Sequence, residues 1–145
     1  MNLKVYLSGE IHSDWRQQII DGSAELPIDF LTPVVTHEAS DDAGDVLGEE
    51  DRRFWKDHKS AKVNSMRISL GLQEADLVII KFGEKYRQWN AAFDAGYAAA
   101  LGKSYIVIHP EEFIHALKEV DAQAKAVATQ ESQVIEILRY LTTQV

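Results

Sequence analysis

The sequence contains no cysteine among its 145 residues. This absence excludes disulfides, thiolate metal sites and a cysteine nucleophile, and it fits a reducing compartment, so we expect a cytoplasmic protein. Long hydrophobic runs are also missing. The apolar run at residues 3–7 is too short for a signal peptide or a membrane span. We therefore expect no association with a membrane.

The chain has fewer basic than acidic residues. The chain has 15 Lys and Arg against 23 Asp and Glu, which gives a formal net charge of −8. Such a surface repels a phosphate backbone, so duplex nucleic acid is not an expected partner, although one local pocket can still bind a single nucleotide. Hydrophobic residues make up 46% and charged residues 26%, which is typical of a globular protein. The length fits one domain over residues 1–145.

Short apolar segments alternate with helical patterns along the chain. We predict five strands, at residues 3–7, 28–31, 75–80, 105–108 and 125–128. We predict helices at about residues 14–21, 58–73, 88–102, 110–117 and 129–141, with residues 35–57 as a long polar connection. This order predicts an α/β three-layer sandwich with a five-stranded parallel sheet, doubly wound in the flavodoxin or Rossmann manner. Ligands bind such sheets at the carboxyl ends of the strands.

The helix at residues 88–102 carries the most informative pattern. Asn90 and Asp94 are four residues apart and share a helix face. Trp89, Phe93 and Tyr97 form an aromatic row at the same spacing. Aromatic rows of this kind usually pack in a core or against a subunit, and stacking on a nucleobase is the alternative.

The residues at 5–9, 75–78, 93–98 and 101–103 together resemble the nucleoside 2-deoxyribosyltransferase superfamily, in order and spacing over nearly the whole chain. Residues 86–97 and 37–42 more closely resemble the YtoQ family of small bacterial proteins. In the superfamily, a glutamate on this helix attacks the anomeric carbon of a nucleoside or nucleotide. It forms a covalent glycosyl-enzyme, from which the sugar passes to another base or to water.

The resemblance implies an N-glycosidic-bond hydrolase or deoxyribosyltransferase that needs no metal or organic cofactor. It implies that Asp94 is the nucleophile, that Tyr6 orients it, and that Asp76 is a second catalytic carboxylate. It also implies a small nucleoside-like or nucleotide-like ligand, and it matches Ser8 and Gly9 to the turn that approaches this ligand. From their places at strand ends and near helix starts, we add His12, His37, Gly83, Arg87 and Asn90 to the predicted substrate site. Superfamily members complete their pockets with a neighbouring subunit, so we expect a homo-oligomer, a dimer or a tetramer.

Two departures from the superfamily keep an alternative open. Asp94 is one methylene shorter than glutamate, and a misplacement of about 1 Å can lower a rate ~10²-fold. Gln88, Trp89 and Asn90 also replace the small, glycine-rich helix entrance of members that bind a 5′-phosphate. The alternative is a binding module for a nucleotide or metabolite without catalysis. A weaker alternative is a metal-dependent hydrolase built on the loop from His37 to Asp42.

The candidate catalytic residues also have structural interpretations. Asp94 can be the partner of another buried group, because a carboxylate on an apolar helix face needs a partner or water. Asp76 can serve as a turn residue before a buried strand. Tyr6 can be a core aromatic residue.

Overall fold

The computed structural model describes residues 1–33 and 37–143. A five-stranded sheet lies at its centre, with the strand order β2-β1-β3-β4-β5 and every neighbouring pair parallel. The strands are β1 (Leu3–Gly9), β2 (Ile28–Leu31), β3 (Leu77–Lys81), β4 (Ser104–Ile108) and β5 (Ala126–Ala128). The predicted α/β architecture is confirmed, and each strand begins and ends within about two residues of its predicted bounds.

Helices cover both faces of this sheet and make the three layers. They are α1 (Trp15–Gly22), α2 (His37–Asp41), α3 (Arg53–Glu74), α4 (Trp89–Ala100), α5 (Lys118–Gln123) and α6 (Glu131–Thr142). Side chains of a strand alternate between faces, so Val5 of β1 packs with α1 and α6, whereas Tyr6 packs with α3 and α4. Since both faces are covered, the central strands are apolar almost throughout.

The strand order reverses direction between β1 and β3. The chain moves from β1 outward to β2 on one side, and then returns to β3, β4 and β5 on the other side. The helices that follow β1 and β3 therefore lie on opposite faces of the sheet and diverge at this point. The carboxyl ends of β1 and β3 are the place where a doubly wound sheet opens to a ligand.

Three predicted helices differ from the structure. The helix predicted from residue 58 begins earlier, at Arg53. The helix predicted after Pro110 is a short 3₁₀ turn at Glu111–Phe113, and the chain enters α5 only at Lys118. There Asp121 accepts a hydrogen bond from His109 Nε2 at 2.8 Å, which ties α5 back to the end of β4.

The last helix begins at Glu131 and is capped by Gln130 rather than by Thr129. Gln130 and Gln133 form a reciprocal capping box, in which the Gln133 side chain accepts the backbone N–H of Gln130 at 3.1 Å. No helix within residues 1–33 and 37–143 is both long and apolar enough to cross a bilayer.

Candidate functional site

The turn that follows β1 fits tightly against the end of β3. Gly9 has a φ of +113°, and a Cβ atom at this position would lie 2.2 Å from the carbonyl oxygen of Lys81. The next residue, Glu10, donates its backbone N–H to the same carbonyl at 3.0 Å. Glycine is needed here because the backbone of β1 approaches β3 too closely for any side chain. At Gly9 the backbones of β1 and β3 are thus in close contact.

Helix α4 brings a carboxylate against the end of β1. The buried stripe of α4 consists of Ala91, Asp94, Ala95 and Ala98, at the spacing of one helix face. Three small alanines let the helix approach the sheet closely. Asp94 is 6% exposed, and its Oδ2 accepts a hydrogen bond from Ser8 Oγ at 2.6 Å. Burial raises the pKa of Asp94, while the hydrogen bond from Ser8 acts in the opposite direction.

Tyr6 lies on the same face of β1 as Ser8, two residues earlier. Its side chain is 1% exposed, and its ring packs on Gly71 of α3, where a Cβ atom would lie 2.4 Å from the ring. Burial raises the pKa of Tyr6, and the nearby Asp94 carboxylate raises it further. In the described part of the chain, the Tyr6 hydroxyl has no hydrogen-bond partner. A protonated, unpartnered hydroxyl therefore lies near the carboxylate.

A buried arginine holds the strand end from the other face. Arg16 is 9% exposed and donates hydrogen bonds to the carbonyls of Leu7 and Gly9 at 3.1 Å each and to that of Glu10 at 2.6 Å. Burial lowers the pKa of Arg16 to about 10, so it remains a cation at neutral pH. Three carbonyls at the exit of β1 are thereby satisfied and held in place.

A cleft of about 380 Å³ opens at the carboxyl edge, next to this turn. Glu10 lines it and is only 4% exposed; its carboxylate accepts the backbone N–H of Ser13 at 2.7 Å as well as the Ser13 hydroxyl. His12 and Gly83, both predicted to belong to a substrate site, also line the cleft. Its volume is in the range of small-molecule sites. Asp94 is not among the residues that line it.

The remaining predicted site residues are dispersed. Asn90 and Arg87 are exposed at and just before the start of α4, so Asn90 does not share the buried position of Asp94. The side chain of His37 lies outside the described residues. Gly83 donates its N–H to Gln88 Oε1 at 2.8 Å, which closes the turn between β3 and α4.

Asp76 lies at the opposite edge of the sheet from Asp94. It precedes β3, where its carboxylate accepts the backbone N–H of Lys4 at 2.9 Å and its own N–H donates to the Lys4 carbonyl at 2.8 Å. Asp94 instead meets the carboxyl end of β1, with the length of the sheet between them. The structure therefore does not bring Asp76 to the site, and it corrects the expectation of a second catalytic carboxylate there. Asp76 instead joins the start of β3 to Lys4, near the start of β1.

Two of the three residues in the aromatic row of α4 lie outside the core, whereas Tyr97 packs against it. Trp89 is 75% exposed and Phe93 is 69% exposed. Tyr97 is partly buried, with its hydroxyl 2.8 Å from Ser69 Oγ of α3. Core packing is therefore excluded for Trp89 and Phe93, whereas packing against a subunit and stacking on a nucleobase both remain open to them.

Sequence reasoning missed Glu10 and Arg16 as parts of this edge. Arginine and glutamate are rarely buried, so neither residue type suggests an interior position. One signal was available for Arg16, since it directly follows Trp15 on a helix that must pack beside β1. Within the described ranges, no group of three His, Asp or Glu side chains is arranged to hold a metal ion.

Comparisons with known proteins identify a family and a fold that this chain resembles. A family model described as "Nucleoside 2-deoxyribosyltransferase YtoQ" matches residues 6–142. The chain is 43% identical over 144 residues to "Uncharacterized protein YtoQ" of Bacillus subtilis (strain 168), with 97% of both chains covered.

Two solved structures share the fold. A conserved protein from Enterococcus faecalis V583 superposes with a TM-score of 0.64 at 13% identity, covering 97% of this chain and 99% of that chain. A 2-deoxyribosyltransferase from Bacillus psychrosaccharolyticus superposes with a TM-score of 0.58 at 18% identity, covering 91% of this chain and 90% of that chain. At these identities the superpositions establish a common architecture.

Proposed function

Because the chain belongs to the YtoQ family of nucleoside 2-deoxyribosyltransferases, we propose that it breaks or transfers the N-glycosidic bond of a nucleoside, nucleotide or related ribosyl compound. Asp94 is the carboxylate that meets the sugar. The observation that carries the proposal is the position of Asp94, buried at the carboxyl end of β1 and hydrogen-bonded to Ser8. In the described part of the structure no cation neutralises it.

The chemistry follows from a free carboxylate oxygen near C1′. That oxygen bonds to C1′ while the C1′–N bond breaks, and the electron pair leaves with the base, which takes up a proton. A second base or a water molecule then attacks C1′ and releases the carboxylate. Tyr6 keeps its proton because burial and Asp94 both raise its pKa, so it supplies a neutral donor near the reacting groups. A metal ion has no role in this sequence of steps.

The substrate enters from the carboxyl edge of the sheet. The cleft there begins at Glu10, two residues after Ser8, and is bordered by His12 and Gly83. Asp94 does not line the cleft, so a ligand seated there must extend past the end of β1 to reach it. Glu10 and His12 offer polar contacts for it, in the manner of small-molecule sites with few oriented polar groups.

A panel of nucleosides and nucleotides tests the proposal, with and without a second free base as acceptor, by chromatography of the products. We expect release or exchange of a base by the wild type, and a loss of about 10³-fold or more in Asp94→Asn, since the covalent step then has no nucleophile. Asp57→Asn, at an exposed position of α3, is the matched control and should keep full activity. Equal turnover in wild type and Asp94→Asn would exclude Asp94 as the nucleophile.

The same panel distinguishes a binding module from an enzyme. A protein that only binds shows a higher melting temperature with one of the compounds and returns that compound intact. The raised pKa of Asp94 and its short side chain favour this second candidate. Stabilisation by a ligand without any product, over a time in which a related transferase would complete many turnovers, would establish it.

We also propose that the chain forms a homo-oligomer through the outer surface of α3 and α4. Trp89 and Phe93 of α4 are exposed, as are Met66 (59%) and Leu70 (68%) of α3, and the contact between Ser69 and Tyr97 joins the two helices. Exposed apolar patches of this kind are typical of protein interfaces. Light scattering after gel filtration should give a dimer or tetramer for the wild type.

Two substitutions locate the interface. Phe93→Asp places a charge in the exposed apolar surface and should yield smaller species. Tyr140→Asp alters a side chain that is 79% exposed on α6, which covers the other face of the sheet, and should leave the assembly unchanged. A monomeric wild type, or dissociation by Tyr140→Asp but not by Phe93→Asp, contradicts the proposed surface.

A further inference from the structure

The Asp94 carboxylate is held by one of its two oxygens. Oδ2 accepts the hydrogen bond from Ser8 Oγ at 2.6 Å, a short distance typical of a hydroxyl donating to a charged acceptor. Among residues 1–33 and 37–143, Ser8 supplies the only hydrogen bond that this carboxylate receives. Oδ1 thus has no protein donor in the described structure. The two oxygens are inequivalent before any substrate arrives.

Ser8 itself has little freedom to move. It is fully buried, and its backbone lies in register with Ile80 of β3. On either side of it, the carbonyls of Leu7 and Gly9 are held by the buried guanidinium of Arg16. A donor on a central strand, fixed from both directions, positions its acceptor more precisely than a donor on a loop does.

The helix alone cannot orient the carboxylate. The neighbours of Asp94 on the buried stripe are alanines, which allow α4 to approach the sheet but have no polar group to fix the rotation of an aspartate side chain. Tyr6 is near, yet its hydroxyl makes no hydrogen bond with the described residues. The orientation of Asp94 therefore depends on Ser8.

We infer that Ser8 is a positioning residue, which holds Oδ2 of Asp94 and leaves Oδ1 as the oxygen that bonds to C1′. The inference rests on the proposed role of Asp94. It changes the role expected for Ser8 from the sequence, because its hydroxyl proton is already committed to the carboxylate and it can offer a ligand only a lone pair. As Oδ1 bonds to C1′, the C1′–N bond breaks and its electron pair leaves with the base, which is protonated by solvent.

Removal of the hydroxyl should change the titration of Asp94 as well as the reaction. In Ser8→Ala the carboxylate loses the hydrogen bond that favours its charged form, so its pKa should move further upward. The measurement is carboxyl ¹³C NMR over a pH series, with Asp94→Asn used to assign the signal. Ser8→Thr keeps a hydroxyl at the same position and should return the titration toward that of the wild type.

The kinetic readout separates positioning from a structural effect. We expect Ser8→Ala to lower kcat by ~10²-fold with KM changed less than about 2-fold, and to move the acid limb of the pH–rate profile upward. Ser8→Thr should recover most of kcat. These outcomes support the inference only together with the upward shift seen by NMR.

The experiments distinguish a failure of this inference from a failure of the proposed function. If Asp94→Asn is inactive but Ser8→Ala has unchanged titration and unchanged kcat, Ser8 does not position Asp94 and the proposed function still stands. If Asp94→Asn retains full turnover, the proposed function fails, and the catalytic role of Ser8 fails with it. Because the NMR titration needs no substrate, it tests the contact between Ser8 and Asp94 in either case.

Discussion

Replacement of Asp94 by asparagine should make the folded protein gain stability relative to the wild type as the pH rises. Asparagine has nearly the same shape and keeps an oxygen to accept the Ser8 hydroxyl, but it cannot ionise. In the wild type, the Asp94 side chain is 6% exposed, and burial raises its pKa because it disfavours the charged form. The charge is tolerated better in the unfolded chain than in the folded protein.

The direction follows from proton linkage. The pKa of Asp94 in the folded state lies above its ordinary value of 3.8, so the folded state binds this proton more tightly than the unfolded state does. Its contribution to the free energy of unfolding is fully present below about pH 3.8 and is lost as the pH rises through the folded-state pKa. Asparagine does not titrate, so the variant loses no free energy of unfolding from this position as the pH rises. Its advantage over aspartate must therefore grow from acid to neutral pH.

The expected size is modest but measurable. Each unit of pKa difference corresponds to ~1.4 kcal/mol, and relief of an unfavourable site group commonly gains ~0.5–2 kcal/mol. For a chain of this length, 1 kcal/mol shifts the melting temperature by roughly 2–4 °C. The difference in melting temperature between Asp94→Asn and wild type should thus widen by about 1–8 °C between pH 3.5 and pH 7.

The assay is thermal or urea unfolding of both proteins across this pH range. The amide N–H₂ group of asparagine adds an offset that is independent of pH, so the change with pH is the decisive quantity. Asp57→Asn removes one negative charge from an exposed position of α3 and corrects for the change in net charge. Parallel curves, or a wild type that gains on the variant with rising pH, would refute the desolvation argument.

Three glycines give further predictions by unfolding in urea. Gly9→Ala should lower the free energy of unfolding by about 3 kcal/mol or more. The new methyl would lie 2.2 Å from the Lys81 carbonyl oxygen, and the backbone has a φ of +113°. A loss below about 1 kcal/mol would contradict the close contact. Gly71→Ala in α3 should destabilise by ~1–3 kcal/mol through contact with the Tyr6 ring, and Tyr6→Leu should reduce this added effect. Gly96→Ala in α4, with no atom within 4 Å of the new methyl, should instead stabilise by ~0.5–1 kcal/mol. Loss of stability in both helix variants would show that space does not decide the outcome.

The sheet could be predicted because its strands carry their own signal. The residues of β3 are apolar on both faces, which only a strand covered by helices requires. The positions of Ser8 and Gly9 followed from the rule that ligands meet the carboxyl ends of parallel strands. The same rule places Asp76, before β3, at the far edge. The resemblance to the superfamily gave Asp76 a catalytic role from its sequence position alone. It did not take into account that Asp76 lies at the amino end of β3, away from the ligand edge.

The hydrogen bonds that hold the buried polar groups at this edge could not be predicted. Glu10 and Arg16 are buried because backbone N–H groups and carbonyls at the turn happen to converge on them, and that convergence exists only once the chain is folded. The stripe containing Asp94 was predictable from helical spacing, whereas its contact with Ser8 depends on the distance between α4 and β1. Exposure of Trp89 and Phe93 has the same origin, since spacing shows that residues share a face but not what that face meets.

The hydrogen bonds of Arg16 have a consequence for how the chain reaches its fold. They join residues only six to nine positions apart, so the loop that they close is short and loses little chain entropy. A protein without disulfides can in this way fasten the exit of its first strand using one side chain of the next helix. The carbonyls on either side of Ser8 are thus held by contacts within the first two elements of the chain.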